Sequence, residues 1–231
     1  MATLDEIRAN TTPGQVFEGQ AQHLLLLVML LAGAVSLLLF TPDPPRTLGL
    51  TSGDWALVSI ALVVLHQGLV AIVFRLQLHH ATLTRLFGER DLTVWSAVFL
   101  PLLAARPVTL ILAGWDDPVP ITGLRLPEVV LGALLLAPAI WGMHSTLTHF
   151  TLRRAVGGDH FREDIRALAP VRGGVFEYTA NGMYGVVFLG LWAIALLMGS
   201  WNALVVAAFQ HAYIWVHFYT VEQPDMRRLY G

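Results

Sequence analysis

Stretches of apolar residue long enough to cross a bilayer recur along this chain and constrain every other reading of it. A membrane-crossing helix needs roughly 20 mainly apolar residues, and such runs fall at residues 24–40, 55–74, 92–115, 127–147, 183–199 and 201–219. Composition agrees: of 231 residues 55% are hydrophobic and only 13% charged, with a mean hydropathy of +0.62. The expected fold is all-α, a polytopic integral membrane protein of about six transmembrane helices. The whole chain, 1–231, is expected to form a single membrane domain, with residues 1–126 holding spans one to three. Gly199-Ser200-Trp201-Asn202 joins the last two runs so tightly that they must close into a C-terminal helical hairpin. The polar stretch before the first run carries Asp5, Glu6 and Glu18 where a cleavable signal would be basic, so this run reads as an anchor.

Arginine placement gives an independent orientation, because cytoplasmic loops retain positive charge. In a six-span drawing Arg8, Arg75, Arg85, Arg90, the five arginines between Arg153 and Arg172, and Arg227 and Arg228 share one side. Only Arg46 and Arg125 fall opposite, which places both termini on the cytoplasmic side. Arg106 lies inside the third run, where a charge is costly and needs a carboxylate, a carbonyl or the interface. The connections 41–54 and 116–126 read as acidic-leaning turns rich in Pro and Gly. Those at 75–91 and 151–180 are long and dense in Arg, His, Asp and Glu, so chemistry is expected on their face.

Several function classes are excluded outright. There is no cysteine, which removes thiolate nucleophiles, disulfide scaffolds and iron–sulfur clusters. All 14 cations are arginine, which removes Schiff-base lysines. A net charge of −2 offers no broad surface for nucleic acid. His66, His79, His80, His144 and His149 resemble the histidine boxes of membrane di-iron oxidases only superficially. No His-x2-His-His run occurs, and His144 and His149 diverge by roughly 140° on a helix, so no metal is expected.

Polar groups in or beside apolar runs must be satisfied by protein or trapped water, which makes them the functional candidates. Gly157-Gly158-Asp159-His160-Phe161 pairs glycines with an acid and a base. Those glycines either let the backbone approach a ligand or form a helix C-cap and turn. Asn181-Gly182-Met183-Tyr184-Gly185 opens the fifth run. Helical spacing puts Asn181, Tyr184, Gly185, Phe188 and Trp192 on one face, with Asn181 also suited to capping. Along the sixth run His211, Trp215, Phe218 and Glu222 share one stripe, and Gln210, Tyr213 and His217 another. Glu222 stands where the run ends, followed by Gln223-Pro224-Asp225.

Taken in order, these stretches resemble the integral-membrane methyltransferases that include the phosphatidylethanolamine N-methyltransferases and the isoprenylcysteine carboxyl methyltransferases. The phospholipid branch carries Gly-Asp-Tyr-Phe, then Asn-Pro-Met-Tyr-x-Gly, a tight helical hairpin and Glu-Glu-Pro. This chain has Gly158-Asp159-His160-Phe161, Asn181-Gly182-Met183-Tyr184-Gly185, the hairpin through Ser200, and Glu222-Gln223-Pro224. Gly182 replaces the proline, Gln223 the second glutamate, and Ala137-Pro138-Ala139 stands where the branch has Gly-x-Gly. Ala180-Asn181-Gly182 differs from the Arg-His-Pro of the carboxyl-methylating branch.

The resemblance implies a methyltransferase-like core at 127–231 that uses S-adenosylmethionine, releases S-adenosylhomocysteine and acts on a lipid amine reached from the bilayer. Phosphatidylethanolamine or a partly methylated derivative is the implied acceptor, on the path toward phosphatidylcholine. Gly157, Gly158, Asn181, Met183, Tyr184, Gly185, Trp215, Glu222 and Gln223 are then the donor-binding candidates. Glu222, assisted by His160 or His217, is the candidate proton acceptor, and Arg153, Arg154 and His149 are candidates for contact with the lipid headgroup. A same-fold methyltransferase for a thiol or a prenylcysteine carboxylate, and a non-catalytic membrane scaffold, are the alternative readings.

Overall fold

Capping chemistry sets where the helices begin and end in the computed structural model, which describes residues 3–41 and 46–231. Thr3 and Glu6 form a reciprocal capping box that opens α1 (Leu4–Ala9). Pro13 opens the single turn of α2 (Pro13–Val16), and Gly19 in the left-handed region leads into α3 (Gln20–Leu37). A second box, Thr51 with Asp54, opens α4 (Ser52–His80), and α5 (Thr82–Phe87) follows after Ala81. Then come α6 (Asp91–Trp115), with Pro101 and Pro107 inside it, and α7 (Arg125–Ser145), with Pro138. Two single-turn helices, α8 (Leu152–Ala155) and α9 (Glu163–Arg166), lie in the long loop before α10 (Leu189–Met198), α11 (Trp201–His217) and α12 (Gln223–Tyr230). Among the described residues the only strand-like pairings are the isolated bridges Thr47–Leu50 and Pro120–Ser200. Of the 41–54 connection, residues 42–45 lie outside the described residues.

Among the described residues five helical stretches are long and apolar enough to cross a membrane: Pro13–Leu37, Ser52–His80, Thr82–Trp115, Arg125–Phe150 and Trp201–Tyr230. The fifth of the six apolar runs forms a shorter apolar helix, Met183–Met198, beside these five. Its far end is cut by the hairpin, where Gly199 takes φ +70° as the left-handed cap and the Ser200 side chain caps α11 through the Ala203 amide. Its start is a π-helical turn, Met183–Val187. Two more such turns continue α7 (Thr146–Phe150) and α11 (Phe218–Glu222).

Small side chains hold the helices together, as expected where lipid supplies no hydrophobic drive between them. Ala56, Ala113, Ala195, Ala203 and Ala207 are fully buried where α4, α6, α10 and α11 meet. A side chain at Gly132 would strike Leu197, and one at Gly114 would strike Met198, so α10 lies close against both α7 and α6. A second cluster joins Phe74 of α4 and Trp95 and Phe99 of α6 to Val156, Phe161 and Ile165 of the long loop. A third ties Leu4, Leu78 and Leu229 together, so α1 and α12 both rest on the end of α4.

Gly157 and Gly158 answer one of the open sequence readings. At Gly157, φ is +81° and a Cβ would lie 2.2 Å from the Phe74 ring. One at Gly158 would lie 2.4 Å from the Arg153 carbonyl oxygen. On the side where a Cβ would stand, these glycines permit close approach to Phe74 and to the Arg153 backbone. Gly157→Ala is therefore expected to destabilise by about 1–3 kcal/mol. Thermal unfolding in detergent should show this, with part of the loss recovered when Phe74→Leu is added.

Candidate active site

Glu222 is presented by the irregular exit of α11. The π-helical turn Phe218–Glu222 interrupts the regular ladder, and its freed carbonyls need donors. Arg75 of α4 supplies them. Its Nη2 donates to the Thr220 and Val221 carbonyls at 3.2 and 3.3 Å, and its Nη1 lies 2.8 Å from Asp225 at the start of α12. From α3, His23 contacts the Thr220 hydroxyl at 2.8 Å and the Tyr213 hydroxyl at 2.9 Å. Gly19 completes the support, since any Cβ there would lie 2.2 Å from the Thr220 carbonyl oxygen.

Held in this way, the Glu222 carboxylate meets Tyr184, whose hydroxyl lies 2.6 and 2.5 Å from its two oxygens. Two sequence motifs 38 residues apart thus converge on one hydrogen bond. Both residues sit on π-helical turns, which in other helices also concentrate at functional sites. His217 is fully buried with its Nε2 3.5 Å from Glu222, beyond good hydrogen-bond geometry. Around the Tyr184 ring stand Phe188, Trp215 and Phe218, at centroid distances of 6.4, 6.2 and 5.8 Å. Farther along, Trp192 donates its indole N–H to His211 at 2.9 Å. A Cβ at Gly185 would find open space. The arrangement is an aromatic wall with one carboxylate at its edge, suited to holding a cation.

The other candidates are placed as follows. Asn181 is half-buried, with Met183 beside Tyr184 in the turn that follows. The N-cap of that turn is Gly182, and no side chain caps it, so the capping role expected for Asn181 is not used. Gln223 opens α12 directly after Glu222. His160 is set apart from the Glu222–Tyr184 pair. Fully buried and stacked on Phe74 at 4.2 Å, it lies between Asp159 (3.0 Å) and Asp225 (3.3 Å), and Tyr230 donates to Asp159 at 3.1 Å. Burial opposes its charge, but the two carboxylates outweigh that and push its pKa up to about 10. The two carboxylates thus favour the imidazolium form of His160 near neutral pH, a form with no free lone pair to accept a proton.

The headgroup candidates are divided between two cavities. Arg154 and His149 line one of 340 Å³ with Arg172 and Gly173. Arg153 lines another, of 400 Å³, with Glu89, Ser96 and Arg162. Arg172 was not singled out in the sequence, and neither were Arg75, His23 and Asp225, which hold the Glu222 turn. Their one legible signal is that each is a polar group inside or beside an apolar run. Among the described residues no cluster of His, Asp and Glu suits a metal ion.

Residues 127–231 match the family model described as phospholipid methyltransferase, and both Tyr184 and Glu222 fall inside the match. The C-terminal region resembles the phospholipid methyltransferases. Curated relatives agree in name. A phosphatidylethanolamine N-methyltransferase from Clavispora lusitaniae is 32% identical over 118 residues, 50% of this chain and 13% of the relative. Proteins of the same name from Debaryomyces hansenii and Scheffersomyces stipitis are 27% and 32% identical over 107 residues, each covering 45% of this chain and 12% of the relative. The chain therefore spans only about an eighth of the length of these relatives. No solved structure matches the chain.

Because His160 is raised from its ordinary value of 6.5 to about 10, its contribution to stability is complete below about pH 6.5 and is lost as the pH rises through about 10. Thermal unfolding in detergent between about pH 6 and about pH 10 should show this alkaline loss. In His160→Gln the profile should be flatter and the stability near neutral pH lower.

Proposed function

We propose that this chain is a phospholipid N-methyltransferase. It would transfer a methyl group from S-adenosylmethionine to the amine of phosphatidylethanolamine, or of a partly methylated derivative, toward phosphatidylcholine. The observation that carries the reading is the Tyr184–Glu222 hydrogen bond, formed between two stretches inside the family match. The names of the relatives support the acceptor class. The residues around the pair fit the donor: its sulfonium is a cation suited to the faces of Tyr184, Trp215 and Phe188. The open space at Gly185 leaves room beside them.

S-Adenosylmethionine supplies an activated methyl group, and the transfer forms an N–C bond as an S–C bond breaks. What remains for the chain's residues is positioning and a proton. A lipid ammonium resembles that of lysine, with a pKa of about 10.4, and has no lone pair until it is deprotonated. Glu222 attracts the ammonium and accepts its proton, and His217, 3.5 Å away, is placed to pass that proton on. Tyr184 fixes the carboxylate so that both groups hold one geometry. His149, Arg154 and Arg172, around their 340 Å³ cavity, are suited to the lipid phosphate. Both termini and the arginine-rich loops face the cytoplasm in this reading, and residues 127–231 form the methyltransferase core on the support of spans one to three.

Purified protein given radiolabelled S-adenosylmethionine and phosphatidylethanolamine should label the lipid, and no labelling of any amine lipid would defeat the reading. Glu222→Gln should lower turnover roughly 100- to 10,000-fold while the protein stays folded. Tyr184→Phe should lower it roughly 10- to 100-fold, the worth of a hydrogen bond to a charged group.

A further inference from the structure

Among the described residues, a buried charge without an ion-pair partner lies outside the family match. Arg106 sits on α6 roughly 22 Å from Asp91 and roughly 13 Å from Trp115 at about 1.5 Å per residue, well inside the span. It is 3% exposed. Its Nε donates to the Gln210 amide oxygen at 2.9 Å, and its guanidinium carbon stands 5.1 Å over the Phe188 ring. The Nη2 nitrogen has no hydrogen-bond partner, and none of the ion pairs among the described residues includes Arg106. A guanidinium cannot shed its proton to escape this. The other buried arginine of a span, Arg75, has Asp225 beside it.

The surroundings of Arg106 are also short of partners. His66 of α4 is 1% exposed, lies within electrostatic reach of Arg106, and has neither ring nitrogen hydrogen-bonded. Ser59 and Thr109 pair with each other at 2.9 Å, and the Gln210 amide nitrogen reaches Ser59 at 3.4 Å. Buried donors left open in this way cost stability unless something bound satisfies them. Phe188, beneath the guanidinium, follows Tyr184 by one helical turn, and Tyr184 touches Glu222.

We propose that Arg106, with Gln210 and His66, receives the oxyanion of a reactant seated against Phe188 and Tyr184: the carboxylate of the methyl donor or the phosphodiester of the acceptor lipid. The inference rests on the methyltransferase reading. In each reactant the anion is separated from the reacting atom by a short chain, on the order of one helical turn of about 5 Å. The Tyr184 and Phe188 rings stand a comparable distance apart, 6.4 Å between centroids. Arg106 is then a binding residue that neutralises its own buried charge only when the reactant is seated.

Binding titrations of the full chain in phosphatidylcholine nanodiscs test this. The probes are S-adenosylhomocysteine, its decarboxylated analogue and short-chain phosphatidylethanolamine, each against wild type and Arg106→Gln. If the site takes the donor carboxylate, Arg106→Gln weakens S-adenosylhomocysteine binding roughly 10- to 100-fold and leaves the decarboxylated analogue unaffected. If it takes the phosphodiester, the loss moves to the lipid titration and both nucleosides bind unchanged. Unchanged affinity for all three probes overturns the proposal. Should the glutamine variant not fold, Arg106→Lys replaces it, with a loss of roughly tenfold expected for the same probe and equal affinities again overturning the inference. Failure of wild type to bind S-adenosylhomocysteine would instead defeat the methyltransferase reading itself.

Discussion

Arg75 is the residue on which the geometry of the carboxylate depends. One guanidinium satisfies two carbonyls of the π-helical turn Phe218–Glu222 and stands against Asp225 of the helix that follows. In lipid a broken helical ladder survives only where protein donors replace the lost bonds. Arg75 therefore permits the irregularity that turns Glu222 toward Tyr184. It also joins that turn to the His160 cluster, because Asp225 accepts from His160 with its other oxygen. Removing one partner of a buried pair of this kind leaves an uncompensated charge, which costs far more than the pair is worth when intact.

The parts of this arrangement legible in the sequence are those with a local signature. The apolar runs mark the spans, Gly199-Ser200 marks the hairpin, and Tyr184 and Glu222 stand at the ends of apolar runs where polar side chains are rare. What escaped was long-range. Nothing at residue 75 distinguishes an arginine that anchors a turn 145 residues away from one that marks the cytoplasmic side of a span. Gly157 and Gly158 show the same limit, since a close backbone approach can be read from glycine but not what approaches. The π-helical turns were invisible as well. Each changes the phase of the helix by one residue, so a face read at regular spacing holds only on one side of the turn.

The departures from the phospholipid-branch pattern have physical counterparts here. At Gly182, where that pattern has proline, a Cβ would lie 2.6 Å from Val175, so the loop before α10 leaves no room for a ring. At Gln223 a second carboxylate would stand next to Glu222 and two residues from the buried Asp225. An amide there keeps the polarity without adding like charge to a region that is already acidic.

The site is also not the property of the matched region alone. Residues 127–231 supply Tyr184 and Glu222, but the donors that hold the Glu222 turn come from His23 of α3 and Arg75 of α4. The cation over Phe188 comes from α6. Without those helices Asp225 would face no arginine, Thr220 would lose two partners, and the Gly19 contact that closes over the turn would vanish. His23, Arg75 and Arg106 of the first three spans are thus buried and turned toward residues of the matched region. This explains why they remain in helices where each charged or hydrogen-bonding side chain carries an insertion cost.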